Sequence, residues 1–369
     1  MVQTAIAGSV QDEVVAALDE QLTRLLARPE VRSAVHEEGR RDVLWPALAD
    51  AGVFALGVPE ADGGLGLDLE VVSGVAAQLG RYLVPGPIVE QTVAPAVLLA
   101  TCADPVRAAL APAVQGDRVL AVVDPQAVGD AEDAIALRDG RLDGRCDLVR
   151  FGADADLLVV VAASDAGPAI VLVDADAYGV TITEEESLEP LTRWASVRFE
   201  SVAEHHAAAA DPATAILLAE RLRAVLRVVF AAQLTGIARH LLEESVSYTA
   251  RREQFGRPIG SFQAVQHILA DMCVDVLALE ALCEQSAEVG FEGVDHVAAL
   301  VAKGVASRVV RAVGESALQV HGGIAFTAEF ELHRWFLHAL ALETHYGDAQ
   351  HAAITLGRAL ADGEVQPWA

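Results

Sequence analysis

The spacing of apolar residues divides the chain into three segments. From about Gln11 to Ala113 apolar residues recur at helical intervals, as in VVAALDEQLTRLLA, DVLWPALADAGVFAL, LEVVSGVAAQLGRYL and IVEQTVAPAVLLATC. Between about Asp117 and Glu204 the pattern changes to short β-rich runs separated by Gly, Asp and Pro, such as RVLAVV, DLLVVVAA, AIVLVDAD and VTITEE. Helical spacing then returns almost to the C-terminus, in about four or five long helices.

These patterns predict an α+β fold in three parts. We expect an N-terminal helical domain over residues 1–116, a middle β-domain over residues 117–210 and a C-terminal helical bundle over residues 211–369. Asp211 and Thr214 in the stretch DPAT suit the start of the first bundle helix, since both residue types cap helices.

Composition narrows the function classes. With 369 residues, 53% of them hydrophobic, the chain can bury a large core. A formal charge of −27 disfavours binding to nucleic acid or to an anionic membrane, because both are polyanions. An anionic ligand therefore needs a local arginine cluster or a partner chain. The four cysteines lie far apart without metal-binding spacing, and no signal peptide or spanning segment is recognisable, so we expect a cytoplasmic protein without a metal.

The most specific stretch is YTARREQFGRPIGSFQAVQHILADM, residues 248–272. It predicts a helix ending near Arg252, a turn containing Gly and Pro, and a new helix from about Ser261. Arginine offers paired donors to a phosphate, Phe255 offers an aromatic face, and the Gln263 amide can pair with a heterocycle. This set suits a nucleotide, although an ordinary helical corner with surface arginines has the same spacing.

At these residues the chain resembles the acyl-CoA dehydrogenase family. In that family a segment like Arg-x-x-Phe-Gly, followed by Phe-Gln, binds the pyrophosphate and adenine end of FAD across a subunit interface. A second family motif, Gln-x-x-Gly-Gly, is present in QVHGGIAFTAE. The resemblance covers essentially the whole chain, and it implies FAD as cofactor with contacts from Arg252, Phe255, Gln263, Gln319, Gly322 and Gly323.

This chain differs from the family at the position of the catalytic base. Tyr346 stands where many members have the Glu that removes the α-proton of the CoA thioester, and Leu226 stands at the alternative position of that Glu. A phenol with a pKa near 10 is a poor base at neutral pH. Glu343 and Glu220 lie nearby in sequence, but each reads as a paired or solvated side chain. We therefore expect no catalytic residue in this chain.

The expected site of the flavin ring also lacks residues that are typical of the family. Where the family has Thr-Glu-Pro followed by Gly-Ser-Asp, this chain reads VVDPQAVGD, and Val123, Val128 and Gly129 lack the hydroxyl groups. Where the family has Trp-Ile-Thr against the flavin, this chain has Leu148 and Arg150 at the outer positions. We expect the ring to lose its stacking partner and to meet a charge.

The residues that match the family are those with which a subunit contacts its neighbour's FAD. The residues that differ from the family belong to the subunit's own flavin ring and substrate site. This resembles the degenerate subunit of heteromeric α2β2 acyl-CoA dehydrogenases of actinobacteria, which commonly act on steroid side chains. The favoured hypothesis is thus a subunit that shares FAD with a homologous catalytic partner, which also holds most of the acyl-CoA. The alternatives are a self-sufficient homotetramer with a displaced base, Glu343 or Glu220, and a flavin-free scaffold.

Overall fold

The computed structural model describes residues 20–26, 28, 41–128, 135–203, 205–209, 211–327 and 330–363. A helical segment at residues 20–26 is followed by α1 (Arg41–Asp50), α2 (Leu69–Arg81), α3 (Ile88–Leu99) and α4 (Asp104–Val114). Helix α1 is shorter than its apolar run suggests. Gly52 follows it at a φ of 74°, a left-handed conformation that glycine adopts without penalty, and the chain turns there.

The middle of the chain forms a mixed sheet. Its strands are β1 (Leu120–Val123), β2 (Ile135–Arg138), β3 (Arg141–Arg150), β4 (Leu157–Ser164), β5 (Gly167–Asp174), β6 (Val180–Glu185), β7 (Trp194–Val202) and β8 (His206–Ala207). The order is β6-β7-β3-β2-β4-β5-β8, and β1 pairs with β4 in parallel. Leu157 and Val159 face the core shared with the helices, whereas Leu158 and Val160 face a separate core within the sheet domain. Residues 157–162 of β4 are all apolar and buried, because both faces of this part of the strand are covered.

The last part is a helical bundle built on one long helix. It contains α5 (Pro212–Arg251), a hairpin of β9 (Glu253–Gln254) and β10 (Arg257–Pro258), α6 (Gln263–Ala287), α7 (Gly290–Gly293), α8 (His296–His321), α9 (Leu332–Glu343) and α10 (Ala349–Ala361). Asp211 caps α5 by accepting a hydrogen bond from the Thr214 N–H at 3.0 Å. Every residue of α5 between positions 224 and 238 is buried, which makes it the central helix.

Helix α2 crosses α5 at a point where only glycine fits. A Cβ atom on Gly236 would lie 1.8 Å from the carbonyl oxygen of Ala77, and one on Gly80 would lie 2.1 Å from that of Gln233. The two glycines let the backbones touch, and this contact fixes the N-terminal helices against the bundle.

The order of helices, sheet and helices confirms the α+β fold expected from the sequence. The division at residues 116/117 and 210/211 stays a prediction. Among the described helices, none is both long and apolar enough to cross a membrane.

We expect Gly236→Ala to lower the free energy of unfolding by about 1–3 kcal/mol, because the added methyl group overpacks the α2–α5 crossing. Gly357→Ala in α10 is the matched control, since a Cβ there meets no atom within 4 Å. It should stabilise the protein by about 0.4–1 kcal/mol. Urea unfolding measures both effects, and equal stability of the two variants would contradict the close crossing.

Candidate functional site

The residues expected to contact FAD lie together on the outside of the bundle. We call this set, Arg252, Phe255, Gln263, Gln319, Gly322 and Gly323, the bundle-end surface; all six residues are exposed. Helix α5 ends at Arg251, one residue before the predicted end, and the β9–β10 hairpin follows. The hairpin turn holds Phe255 at a φ of 55° with 92% of its surface exposed. The new helix starts at Gln263, two residues after the predicted start.

Aromatic packing brings the two sequence motifs to the same end of the bundle. Tyr248 in the last turn of α5 stacks on His321, the last residue of α8, with ring centroids 4.4 Å apart. Arg252 follows Tyr248 by one turn, and Gly322 follows His321 directly. Motifs that are far apart in sequence thus emerge side by side.

The bundle-end surface offers an exposed cation and exposed glycine backbone to an anionic ligand. No hydrogen bond or ion pair within the described residues engages the Arg252 guanidinium, so its donors are available to an anion. Gly322 has a φ of 66° and a ψ of −147°, a region that essentially only glycine occupies. A Cβ on Gly322 or Gly323 would meet no atom within 4 Å, so these glycines leave open space beside the cation.

The second place of interest is the turn that carries Tyr346. Helix α9 ends at Glu343 and α10 begins at Ala349, so Tyr346 lies in the short connection between two helices. Tyr346 has a φ of 60° and Gly347 one of 102°. The Asp348 carboxylate caps α10 by accepting a hydrogen bond from the His351 N–H at 2.8 Å.

The Tyr346 side chain is locked in the core. Only 1% of the residue is exposed, its ring stacks on Phe230 at 5.8 Å, and its hydroxyl has no hydrogen-bond partner among the described residues. Its backbone N–H donates to the Ala127 carbonyl, and its carbonyl accepts from Arg227 Nε at 3.0 Å. Burial raises the pKa of the phenol well above its ordinary value, and the Asp124 carboxylate raises it further. Tyr346 therefore remains a neutral phenol at physiological pH.

A buried ion pair lies near this turn. Arg150 Nε donates to Glu90 Oε1 at 2.8 Å, and the two side chains are 2% and 1% exposed. The guanidinium also lies 5.0 Å from the centroid of the Phe230 ring, whose other contacts include Tyr346. Glu90 comes from α3, Arg150 from β3 and Phe230 from α5. Charged and aromatic side chains from three elements thus pack around Arg150, one of the two residues expected from the resemblance to face the flavin ring.

The other residues that differ from the family at the expected ring site lie partly in the core and partly on the surface. Leu148 lies at a bulge of β3 with a φ of 56° and is 43% exposed, so of the two residues only Arg150 reaches the interior. Val123 is fully buried in β1 and Val128 is half-buried. Gly129 lies outside the described residues.

The residues considered as alternatives to Tyr346 differ in their surroundings. Leu226 is fully buried and has no titratable group. The Glu343 carboxylate forms an ion pair with Arg311, with Nε to Oε2 at 3.1 Å. Glu220 is exposed on α5. Because both carboxylate oxygens of Glu343 are engaged by Arg311, this residue is not available as a displaced base.

Sequence reasoning missed His345, the neighbour of Tyr346. Its ring is buried between Phe230 at 5.2 Å and Trp194 at 5.9 Å. Burial keeps the pKa of His345 well below its ordinary value, and the Arg150 charge acts in the same direction. The imidazole is therefore neutral and a weak base.

Lys303 was also missed, although the only lysine of the chain interrupts the apolar run HVAALVAKGVASRVV. It is fully buried, and Nζ donates to Ser307 Oγ at 3.0 Å and to the carbonyls of Glu343 and Gly347 at 2.9 and 3.1 Å. Burial lowers its pKa to about 7. Lys303 ties α8 to both ends of the turn that carries Tyr346.

We expect Glu90→Gln to lower the free energy of unfolding by about 3–5 kcal/mol, because it leaves the Arg150 charge buried without a counter-charge. The double variant Glu90→Leu/Arg150→Met should recover most of this loss, since an apolar pair of similar volume replaces a desolvated ion pair. Urea unfolding measures both.

The matched control is Glu200→Gln, which removes the exposed partner of Arg198 and should leave stability almost unchanged. If Glu90→Gln behaves like this control, the ion pair does not hold the interior together.

Comparison with known proteins agrees with the geometry. The sequence model of the acyl-CoA dehydrogenase N-terminal domain matches residues 8–114, and that of the C-terminal domain matches residues 218–361. The acyl-CoA dehydrogenase IpdE2 of Mycobacterium tuberculosis is 31% identical over 84% of this chain and 84% of its own length.

Two solved structures extend the similarity to the complete fold. A steroid ACAD variant, Tcur3481-Tcur3483, has a TM-score of 0.86 and 30% identity, covering 97% of this chain and 99% of its own. The ChsE4-ChsE5 complex of Mycobacterium tuberculosis has a TM-score of 0.84 and 27% identity. The similarity covers 95% of this chain and 97% of the matched chain. With both family domains matched over most of its length, this chain belongs to the acyl-CoA dehydrogenase family.

Proposed function

We propose that this chain is the non-catalytic subunit of an FAD-dependent acyl-CoA dehydrogenase and works with a homologous catalytic subunit. The observation that carries the proposal is the buried Glu90–Arg150 pair, packed with Phe230 and Tyr346 where the chain's own flavin ring would lie. A flavin there would have to displace a desolvated ion pair. Enzymes of this family desaturate a CoA thioester between Cα and Cβ, and this chain lacks the base for that step.

The bundle-end surface supplies the other half of the proposal. Arg252 would hold the pyrophosphate, Gln263 and Phe255 the adenine side, and the backbone at Gly322 and Gly323 would allow close approach. FAD, when bound, supplies the oxidant for the desaturation. Because all six residues are exposed, a second subunit can bring its cofactor to them.

Heteromeric relatives support a partner of the same fold. ChsE4-ChsE5 is a complex of two chains, and Tcur3481-Tcur3483 is a steroid ACAD. By analogy we propose an α2β2 assembly that acts on the CoA thioester of a steroid side chain, with the acyl group held mainly by the partner. The pairing of Glu343 with Arg311 argues against a self-sufficient enzyme that uses Glu343 as base.

We expect Arg252→Ala to release flavin from the complex with its catalytic partner. Loss of one side of a charged hydrogen bond at an interface costs about 2–4 kcal/mol in binding free energy. Arg252→Lys should recover part of the affinity, since an ammonium keeps the charge but not the paired donors. Flavin absorbance per heterodimer after gel filtration is the measurement.

Arg251→Ala is the control, because Arg251 is the exposed neighbour whose Nε already donates to the Ser247 carbonyl. It should retain flavin. An Arg252→Ala complex that assembles normally and keeps its full flavin would show that Arg252 does not hold the partner's cofactor.

We expect Tyr346→Phe to leave turnover of the assembled complex within about twofold of wild type, because the hydroxyl is buried without a partner and takes no proton from the substrate. Steady-state kinetics with a CoA thioester measure this. A fall of about a hundredfold, typical for loss of a general base, would mean that Tyr346 acts in the reaction.

A further inference from the structure

One face of α6 is exposed along the helix. The buried side chains lie on the side that packs against α2, α5 and α8, and they are Met272, Val276, Leu279, Cys283 and Ala287. The opposite face carries Val274 and Leu277, which are 66% and 52% exposed. These two residues are neighbours on the helix surface because they are three positions apart, so they form one apolar patch. Such a patch on an exposed helix indicates a contact surface for another molecule.

The exposed residues of this face repeat with the spacing of a contact between two helices. Steps of four and three residues alternate along the face, and every member of the set is exposed. We call this set the α6 stripe: Gln263, His267, Ala270, Val274, Leu277, Ala281 and Glu284. Alternating steps of this kind keep a row of side chains in line with a second helix, and the alanines in the row permit close approach. The spacing therefore predicts that an α-helix covers the stripe.

The α6 stripe begins within the bundle-end surface. Gln263 is the first residue of α6 and one of the six residues proposed to contact the partner's FAD. Because a helix rises about 1.5 Å per residue, Val274 and Leu277 lie about 17 and 21 Å further along the same face. A subunit that brings its cofactor to Gln263 therefore stands next to the apolar part of the stripe. This step rests on the proposed function.

The charges of α6 disfavour a second copy of the chain on the stripe. The helix has no lysine or arginine, and its carboxylates belong to Asp271, Asp275, Glu280 and Glu284. Glu280 is paired with Arg239, whereas no ion pair within the described residues engages the other three. Two such helices in contact would bring like charges together, which costs binding free energy. A partner helix with lysine or arginine beside its apolar residues would neutralise the carboxylates.

We propose that the α6 stripe docks a helix of the homologous catalytic subunit, one with an apolar row and basic flanking residues, and that its acidic charge selects this partner over a second copy of the chain. Val274 and Leu277 form the apolar centre of the contact, and the unpaired carboxylates form its charged rim. Partner choice of this kind combines attraction to one molecule with repulsion of another.

Leu277→Asp tests the apolar centre. We expect the dissociation constant of the complex with the catalytic subunit, measured by sedimentation of the two purified chains, to rise at least tenfold, because a carboxylate replaces an apolar side chain that the contact removes from water. Leu188→Asp is the matched control, since Leu188 is 95% exposed between β6 and β7. It should assemble like wild type. Each variant alone should unfold in urea in the same single transition as wild type, because both positions are exposed.

Glu284→Lys tests the choice of partner. The lysine would meet the basic residues of the partner helix, so the complex should be about tenfold weaker. Glu200→Lys on β7, which is exposed and lies outside α6, is the control and should assemble like wild type. Dimers of the wild-type chain alone that Leu277→Asp dissociates would show that a second copy covers the stripe, and would overturn the choice of partner.

Wild-type affinity of the Leu277→Asp chain for the catalytic subunit would overturn the docking face. The Arg252→Ala variant separates this failure from a failure of the proposed function, because it should assemble and lose only flavin. An intact Leu277→Asp complex together with flavin loss in Arg252→Ala removes the docking face alone. Loss of the complex in Leu277→Asp together with full flavin in Arg252→Ala supports the docking face and removes only the cofactor assignment.

Discussion

The buried Glu90–Arg150 ion pair is the constraint on which the interior depends. Two charges can leave water only if they neutralise each other, so α3 and β3 must meet at one fixed separation. Arg150 also lies against Phe230 of α5, so side chains from the N-terminal helices, the sheet and the bundle meet at this ion pair. Arg150 Nη1 and Glu90 Oε2 have no hydrogen-bond partner within the described residues, so part of the desolvation cost of the pair remains uncompensated.

The same arrangement separates what the chain can do for itself from what it can do for a partner. Inside, Tyr346 is a neutral phenol whose hydroxyl is shielded from water, and Lys303 and Arg227 hold its turn in place through backbone carbonyls. Outside, Arg252 and Phe255 are exposed and have no internal function in the described structure. A neutral phenol in the core and exposed binding groups on the surface agree with the proposed role of a subunit that completes a neighbour's site.

Electrostatics act locally in this strongly acidic chain. A net charge of −27 opposes any anionic ligand at long range, yet an exposed arginine with available donors can still hold a phosphate at contact distance. Where α2, α5 and α6 meet, by contrast, Arg81 and Arg239 are already paired with glutamates. Whether an arginine is available to an anion therefore depends on its local partners and not on the net charge.

The sequence by itself determined the order of helices and strands and the position of the turn that follows Arg252 and contains Phe255. Periodicity and turn residues act over a few neighbouring positions, so these features can be read without knowledge of the fold. The tertiary structure decided which distant residues meet. Glu90 and Arg150 are 60 positions apart, and neither shows in sequence that it is buried; Tyr248 and His321 likewise meet only because α5 and α8 pack together. Burial changes the chemistry of a charged or phenolic side chain, and burial is a property of the packed chain and not of the local sequence.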